Sequence, residues 1–104
     1  MRKISVLLLM AGMVAALSLP AAAAAAEDYK AKCAMCHAAD GKGQPSMVKS
    51  MGVKDLSSAE VQKLTDAELK TAIENGKNKM TGYKGKLSDK QIADLVTFIR
   101  TFKK

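Results

Sequence analysis

The sequence predicts a single, small, all-α domain, and three observations support this fold class. The chain has 104 residues, a length that suits one domain. No segment alternates apolar and polar residues over several positions, as a half-buried strand would. The strongest apolar pattern instead has the spacing of one helix face, at Ile92, Leu95, Val96, Ile99 and Phe102.

We expect four helical segments in all. The first runs over residues 27–37, with two acidic residues at the end where the helix dipole is positive, and a turn at residues 40–43 ends it. A loop that contains Pro45, Met47 and Met51 is expected next.

Three capping-box sequences predict where the other helices begin. They are Ser57-Ser58-Ala59-Glu60, Thr65-Asp66-Ala67-Glu68 and Ser88-Asp89-Lys90-Gln91. Gly76 is expected to end the third helix. Residues 75–87 are then predicted to form a loop that contains three glycines.

Composition excludes several other classes of protein. Charged residues make up 26% of the chain and apolar residues 48%, which is typical of globular domains and not of disordered or fibrous chains. Two cysteines are too few for a disulfide scaffold, and one histidine leaves little for a histidine-based catalytic triad. Because only four residues are aromatic, we expect another group to fill part of the core.

Residues 1–26 have the order of features found in a secretory signal peptide. Two basic residues precede an uncharged apolar run, and Pro20 and six alanines follow. We expect cleavage near Ala24 or Ala26 and export to the periplasm, which leaves a domain at residues 27–104. An uncleaved membrane anchor is the alternative, because no charge interrupts the run or the alanines.

Export changes the chemistry expected of the two cysteines. Without Arg2 and Lys3 the chain carries 15 basic and 10 acidic residues, a net charge of +5. A domain of this length is marginally stable when it depends on its own apolar surface alone. Free thiols seldom persist in an oxidising compartment, so Cys33 and Cys36 are expected to be bonded to another group.

The segment Cys33-Ala34-Met35-Cys36-His37 has the pattern C-x-x-C-H, the attachment signature of a c-type haem. Residues three apart lie on one face of a helix, so Cys33 and Cys36 can both form thioethers with one porphyrin. His37 follows directly and can place its imidazole on the iron as the proximal axial ligand.

Three other interpretations of the motif explain it less well. A redox pair of the thioredoxin type needs a βαβ context, and no strand is predicted. A structural zinc site needs four ligands, and the chain has no second histidine or further cysteine. A disulfide over this spacing would close too short a loop to stabilise the chain much.

Methionines are the candidates for the sixth position of the iron. Met35 lies inside the motif, on the wrong face. Met80 lies 43 residues after His37, in a glycine-containing loop between two predicted helices, and can therefore reach the opposite face of the haem. Met51 is the main alternative.

Further short motifs extend from Tyr29 to Phe102. They are Tyr29 itself, Asp40-Gly41-Lys42-Gly43, Asn75-Gly76-Lys77-Asn78-Lys79-Met80, Tyr83, Gly85-Lys86-Leu87-Ser88 and Asp94-Leu95-Val96-Thr97-Phe98-Ile99-Arg100. With these motifs the sequence resembles the class I c-type cytochromes, especially the small mono-haem proteins of bacteria. The resemblance implies a bundle of about four helices around one covalently attached haem c, with Met80 as the distal iron ligand. Thr81 and Ala25 depart from the family's pattern, which has proline and glycine there.

The resemblance also implies further contacts with the haem. In the family a proline carbonyl after the motif accepts a hydrogen bond from the proximal histidine, and Pro45 is the only proline after the predicted signal peptide. Met47, two residues later, is expected to pack on the porphyrin. Tyr83 is a candidate hydrogen-bond donor to a haem propionate.

These residues predict a one-electron carrier rather than an enzyme. An iron held by His37 and Met80 cycles between Fe(III) and Fe(II) without exchanging ligands, and methionine raises its reduction potential. We expect other redox proteins of a respiratory or photosynthetic chain as partners, and no small-molecule substrate. One alternative is a haem protein with a labile sixth ligand and weak peroxidase or gas-binding activity, because Thr81 replaces a stiffening proline. Another is a membrane-anchored cytochrome subunit of a respiratory complex.

Lysines are expected around both edges of the haem. Those near the distal methionine are Lys77, Lys79, Lys84 and Lys86, and those after the attachment motif are Lys42, Lys49 and Lys54. Such a face would steer an acidic partner protein. Nucleic acid is not expected, because the lysines are not interleaved with aromatic residues. Membrane contact is expected only through the redox partners if the signal peptide is cleaved.

Overall fold

The computed structural model describes residues 19–104, and six helices occur in that range. They are α1 Ala21–Lys32, α2 Ala34–His37, α3 Pro45–Met51, α4 Ala59–Gln62, α5 Asp66–Asn75 and α6 Asp89–Arg100. This part of the chain has no strands, only two isolated bridges inside loops. The predicted all-α fold class is confirmed. Most of the predicted signal peptide, residues 1–18, lies outside the described residues.

The first predicted helix differs from the observed one at its start and in its middle. α1 begins at Ala21, so the predicted domain boundary at residue 26 falls inside it, and Ala25 is 2% exposed. The helix is interrupted at Cys33, and a second helix, the four-residue α2, begins at Ala34. Over residues 19–104, no helix combines the length and the apolar character needed to cross a membrane.

The segment after the attachment motif was predicted to be a loop, and that prediction is wrong for residues 45–51. Proline occupies the first helical position of α3, where its missing N–H is no loss and its fixed φ suits the helix. Gly52 ends α3 in the left-handed conformation, with φ of 66°. Two residues that disfavour the interior of a helix therefore define the ends of this one.

The capping predictions hold for the two longer helices. Thr65 and Ser88 each accept a hydrogen bond from the backbone N–H three residues later, and the side chain of that residue bonds back. At α4 the cap is Ser58, which accepts from the N–H of Val61, rather than the predicted Ser57. The starts of α4, α5 and α6 were therefore predictable to within about one residue.

The core lies where α6 packs against α1 and α5. Its buried apolar residues are Tyr29, Leu56, Val61, Leu69, Ile73, Leu87, Ile92, Leu95, Val96 and Ile99. Tyr29 packs against the rings of Phe98 and Phe102 at centroid distances of 5.0 and 5.3 Å. Its hydroxyl donates a hydrogen bond of 2.6 Å to the carbonyl of Ala38, just after α2. The attachment motif is thereby tied to the main helix crossing.

Candidate functional site

A cavity of about 410 Å³ brings the main predicted ligands together. Cys33 and Cys36 line one part of it with His37, and Met80 and Tyr83 line another. The first three residues lie at the α1–α2 junction and in α2, and the other two lie in the loop after α5. The two candidate axial ligands, His37 and Met80, are 43 residues apart in the sequence. The fold therefore assembles one site from two distant segments.

Apolar side chains from the middle of the chain complete the walls of this cavity. They are Met51, Val53, Leu56, Val61, Leu64, Leu69 and Ala72. The sequence identified Met51 as a candidate ligand, but it did not identify these residues as walls of a cavity. Several of them lie in short or irregular segments, where no helical or strand period marks a buried position.

Both cysteines are half-buried free thiols in this structure. Burial raises the pKa of Cys33 to about 11, and the negative charges of Asp28 and Cys36 add to this effect. A thiol of this kind is protonated at neutral pH, unlike the thiolates that act in redox pairs or bind zinc. In residues 19–104, no group of three or more His, Cys, Asp or Glu side chains is arranged to hold a metal ion.

His37 has the environment of a neutral imidazole. Burial lowers its pKa below the ordinary value of 6.5. Hydrogen bonding with the backbone of Lys54 has a smaller effect that raises the pKa. Its Nδ1 atom is buried and makes no hydrogen bond to any described residue. A neutral ring is the form that ligates iron, and a buried nitrogen without a partner is unusual in a structural histidine.

Met80 lies in a loop that is held closely against the end of α5. The N–H groups of Tyr83 and Lys84 donate hydrogen bonds of 2.8 and 2.9 Å to the carbonyls of Ile73 and Glu74. Gly82 makes this approach possible, because a Cβ there would lie 2.6 Å from the carbonyl carbon of Asn75. The loop is thus fixed by backbone contacts on the side where it returns to the helix.

A side-chain contact fixes the other side of the loop. The ammonium of Lys79 donates a hydrogen bond of 3.1 Å to the carbonyl of Ser50, near the end of α3. The hydroxyl of Tyr83 donates one of 2.9 Å to the carbonyl of Lys32 at the end of α1. Both bonds connect the Met80 loop to other segments that line the cavity or flank it.

The remaining predicted contacts are placed differently. Pro45 is exposed at the start of α3, and Met47 is half-buried, and neither lines the cavity. The backbone group whose hydrogen bonding affects the pKa of His37 belongs to Lys54. Met35 is 75% exposed, in agreement with its predicted position on the wrong face of the motif.

The border of the cavity is strongly basic. Five lysines contribute to its lining, against a single acidic residue, Glu60; the lysines are Lys32, Lys54, Lys63, Lys77 and Lys79. Three of these were expected from the sequence, whereas Lys32 and Lys63 were not. The other predicted lysines are exposed but do not line the cavity; they are Lys42, Lys49, Lys84 and Lys86.

Comparison with known proteins identifies the group to which this arrangement belongs. Residues 20–99 match the family described as cytochrome c oxidase, cbb3-type, subunit III. Cytochrome c6 of Leptolyngbya boryana is 35% identical over 78 residues, which cover 75% of this chain and 88% of that protein. Cytochrome c6 of Nostoc sp. (strain PCC 7120) is 36% identical over 91 residues, with coverage of 81% and 77%.

Solved structures give the same result for the fold. The KustC0563 c-type cytochrome superposes with a TM-score of 0.71 at 29% identity and covers 77% of this chain and 98% of its own. Cytochrome c6 from the diatom Phaeodactylum tricornutum has a TM-score of 0.61 at 24% identity, covering 77% and 91%, which is a likeness of fold alone.

An all-α fold in which a C-x-x-C-H motif and a methionine-bearing loop line one apolar cavity defines a c-type cytochrome. The chain belongs to the class I c-type cytochromes. It is an electron-transfer protein with one covalently bound haem c and its iron. The residues present fit this group: two thiols, a neutral imidazole with an unpartnered nitrogen, a thioether and apolar walls line the same space.

Proposed function

We propose that this protein carries single electrons between redox proteins, with Cys33 and Cys36 as the thioether attachment points and His37 and Met80 as the axial ligands. Haem c supplies an Fe(III)/Fe(II) couple when it is bound. The observation that carries the proposal is the common cavity, which collects these four side chains between apolar walls. The protein is accordingly proposed to be a carrier and not an enzyme.

The surroundings of His37 suit the role of proximal ligand. Because burial lowers the pKa of the imidazole, the ring is neutral and has a lone pair available at physiological pH. The backbone of Lys54 is the neighbouring group that can orient the ring, in addition to the carbonyl of Pro45 predicted from the sequence. Apolar walls keep water away from the ligand, which favours the less charged ferrous state.

The contacts around Met80 favour a stable sixth ligand over a labile one. The sequence raised the labile alternative because Thr81 stands where related proteins have proline. Backbone hydrogen bonds from Tyr83 and Lys84 to α5, and the bond from Lys79 to Ser50, restrain the loop without a proline. Electron transfer then needs no ligand exchange and little rearrangement of the chain.

The basic border of the cavity supports an acidic docking partner. Five lysines and one carboxylate line the cavity. The carboxylate, that of Glu60, forms an ion pair of 3.2 Å with Lys54. The excess of positive charge lies at the opening through which an electron would enter and leave. Long-range attraction to an acidic surface would therefore raise the association rate and orient the encounter.

Export to the periplasm remains part of the proposal, with a cleavage site that preserves α1. Ala25 is 2% exposed, and the family match begins at residue 20, so cleavage after Ala26 would remove a buried residue of the domain. We therefore place cleavage at or before Ala24. The intact mass of the exported protein tests this: the mature chain is expected to retain Ala25, and a chain beginning at Glu27 would contradict the placement.

Mass and redox measurements on one preparation test the proposed function. Protein from a host that matures c-type cytochromes is expected to carry one covalent haem and to titrate as a single one-electron couple. Cys33→Ala should leave at most one thioether, whereas Met35→Ala, an exposed position in the same motif, should leave both. Wild-type protein without covalent haem would refute the assignment of the attachment residues.

A further inference from the structure

Arg100, the last residue of α6, makes a set of hydrogen bonds that has no role in the electron transfer proposed above. Its Nη1 donates to the carbonyl of Gln62 at 2.9 Å, and its Nη2 donates to the carbonyl of Leu64 at 2.6 Å. Its Nε and Nη2 also donate to Oδ1 of Asp66 at 3.1 and 2.8 Å. One side chain thereby holds three positions of the α4–α5 junction.

The two carbonyls would be poorly satisfied without the guanidinium. α4 has only four residues, so the carbonyls at and after its end have no following helical turn to donate to them. Asp66 is the first residue of α5, and it links the same guanidinium to the start of that helix. Arg100 therefore fixes both the end of one helix and the beginning of the next.

A second side chain strengthens this connection. Nε2 of Gln62 donates hydrogen bonds to the carbonyl of Leu56 at 2.7 Å and to that of Ile99 at 3.0 Å. The segment from residue 56 to residue 66 is thus tied to α6 at two successive residues, Ile99 and Arg100. Such a doubly tied segment has little freedom to move away from α6.

The same segment supplies a wall of the cavity. Leu56, Val61 and Leu64 line it, and Leu64 is the residue whose carbonyl receives the shortest bond from Arg100. We propose that Arg100 is a positioning residue for electron transfer: it holds the 56–66 wall against the haem site, keeps water out and so helps to set the reduction potential. This inference rests on the proposed function, because it assigns the wall to a redox site.

Arginine is suited to this role in a way that lysine is not. The guanidinium presents five donors in a rigid plane and can bind two carbonyls and a carboxylate at once. A lysine at position 100 would keep the positive charge but would reach only part of this set. Arg100→Lys therefore separates the effect of the hydrogen bonds from the effect of net charge.

The experiment compares the midpoint potential and the amide hydrogen exchange of four holoprotein variants with wild type. Arg100→Lys is expected to shift the Fe(III)/Fe(II) equilibrium of the haem about tenfold towards the ferric state. This corresponds to a midpoint potential about 59 mV lower. Amides at the start of α5 should exchange at least tenfold faster. Leu64→Ala, which alters the wall and leaves the backbone bonds in place, should lower the potential in the same direction.

Two variants serve as controls. Asp66→Asn removes only the negative charge of the exposed partner, so both carbonyl bonds remain. The Fe(III)/Fe(II) equilibrium constant should then stay within a factor of about three of wild type. Lys90→Gln breaks the exposed Lys90–Asp94 pair on the same helix and should change neither measurement.

The outcomes distinguish this inference from the proposed function. An unchanged potential in Arg100→Lys, or in Leu64→Ala, would overturn the positioning role even if the variant were less stable. An equal shift in Lys90→Gln would mean that any weakening of α6 changes the potential, and it would overturn the specific role of the Arg100 hydrogen bonds. Failure of the proposed function itself would appear in wild type, as absent methionine ligation, while hydrogen exchange would still report whether Arg100 holds the wall.

Discussion

Replacing Gly82 with alanine tests how the Met80 loop is held. The new Cβ would lie 2.6 Å from the carbonyl carbon of Asn75 and 2.7 Å from the carbonyl oxygen of Glu74. Ordinary contacts begin at 3.4 Å, so the loop or the end of α5 must move by about 0.8 Å, the difference between 3.4 and 2.6 Å. Because the atoms met are backbone, no side chain can rotate to relieve the overlap.

The expected cost of Gly82→Ala is about 1–3 kcal/mol of the free energy of unfolding, the usual range for an overpacked site. If about 1.4 kcal/mol of this strain is relieved when the loop swings away, cyanide should bind the ferric protein about tenfold faster than it binds wild type. Stopped-flow cyanide binding and guanidinium unfolding measure the two quantities on the same preparation.

Gly85→Ala is the matched control in the same loop. A Cβ at Gly85 meets no atom within 4 Å, but the residue has φ of 80°, which costs an L-residue roughly 1–2 kcal/mol. Both variants should therefore lose similar stability, while only Gly82→Ala should speed cyanide binding. Equal cyanide rates in the two variants would refute the claim that the contact of Gly82 with α5 secures the distal ligand.

Three further predictions concern charge, pH and the haem-free chain. Lys77→Glu should slow electron transfer to an acidic redox protein at low salt, with the difference vanishing at high ionic strength, whereas Lys104→Glu should have a much smaller effect; equal effects would indicate net charge alone. Burial raises the pKa of Tyr29, so the folded state keeps a proton that the unfolded state loses above pH 10, and the free energy of unfolding should fall as pH rises beyond that value. Tyr29→Phe should reduce this slope in denaturant titrations at pH 9–11, and an unchanged slope would contradict the assignment. A cavity of about 410 Å³ left empty would cost up to about 10 kcal/mol, which is comparable to the whole stability of a domain, so calorimetry of the haem-free chain should show no cooperative transition.

The parts of the fold that were predictable are those with strong local signals. The capping boxes at Thr65 and Ser88 marked the starts of α5 and α6, because a side chain that satisfies helix N–H groups is encoded within four residues. α3 gave no such signal: it has seven residues, no side-chain cap and no buried residue, and Pro45 and Gly52 define it instead. Short helices of this kind depend on their neighbours more than on their own sequence.

The candidate site was predictable to a similar extent. The attachment motif is contiguous, so the sequence alone indicated its chemistry, and Met80 was identifiable from its glycine-containing loop. The wall formed by Val53, Leu56 and Leu64 was not, since its residues come from a turn and a helix junction without regular spacing. The bonds of Arg100 to carbonyls more than thirty residues away were also beyond sequence reasoning.

The absorption spectrum of the ferric protein tests the central claim most directly. Iron bound by a thioether sulfur gives a weak charge-transfer band near the red edge of the visible range. Wild type and Met51→Ala are predicted to show this band, and Met80→Ala is predicted to lose it, with a lower reduction potential. A wild-type spectrum without the band, or a band that survives in Met80→Ala, would contradict the assignment of Met80 as the distal ligand of a one-electron carrier.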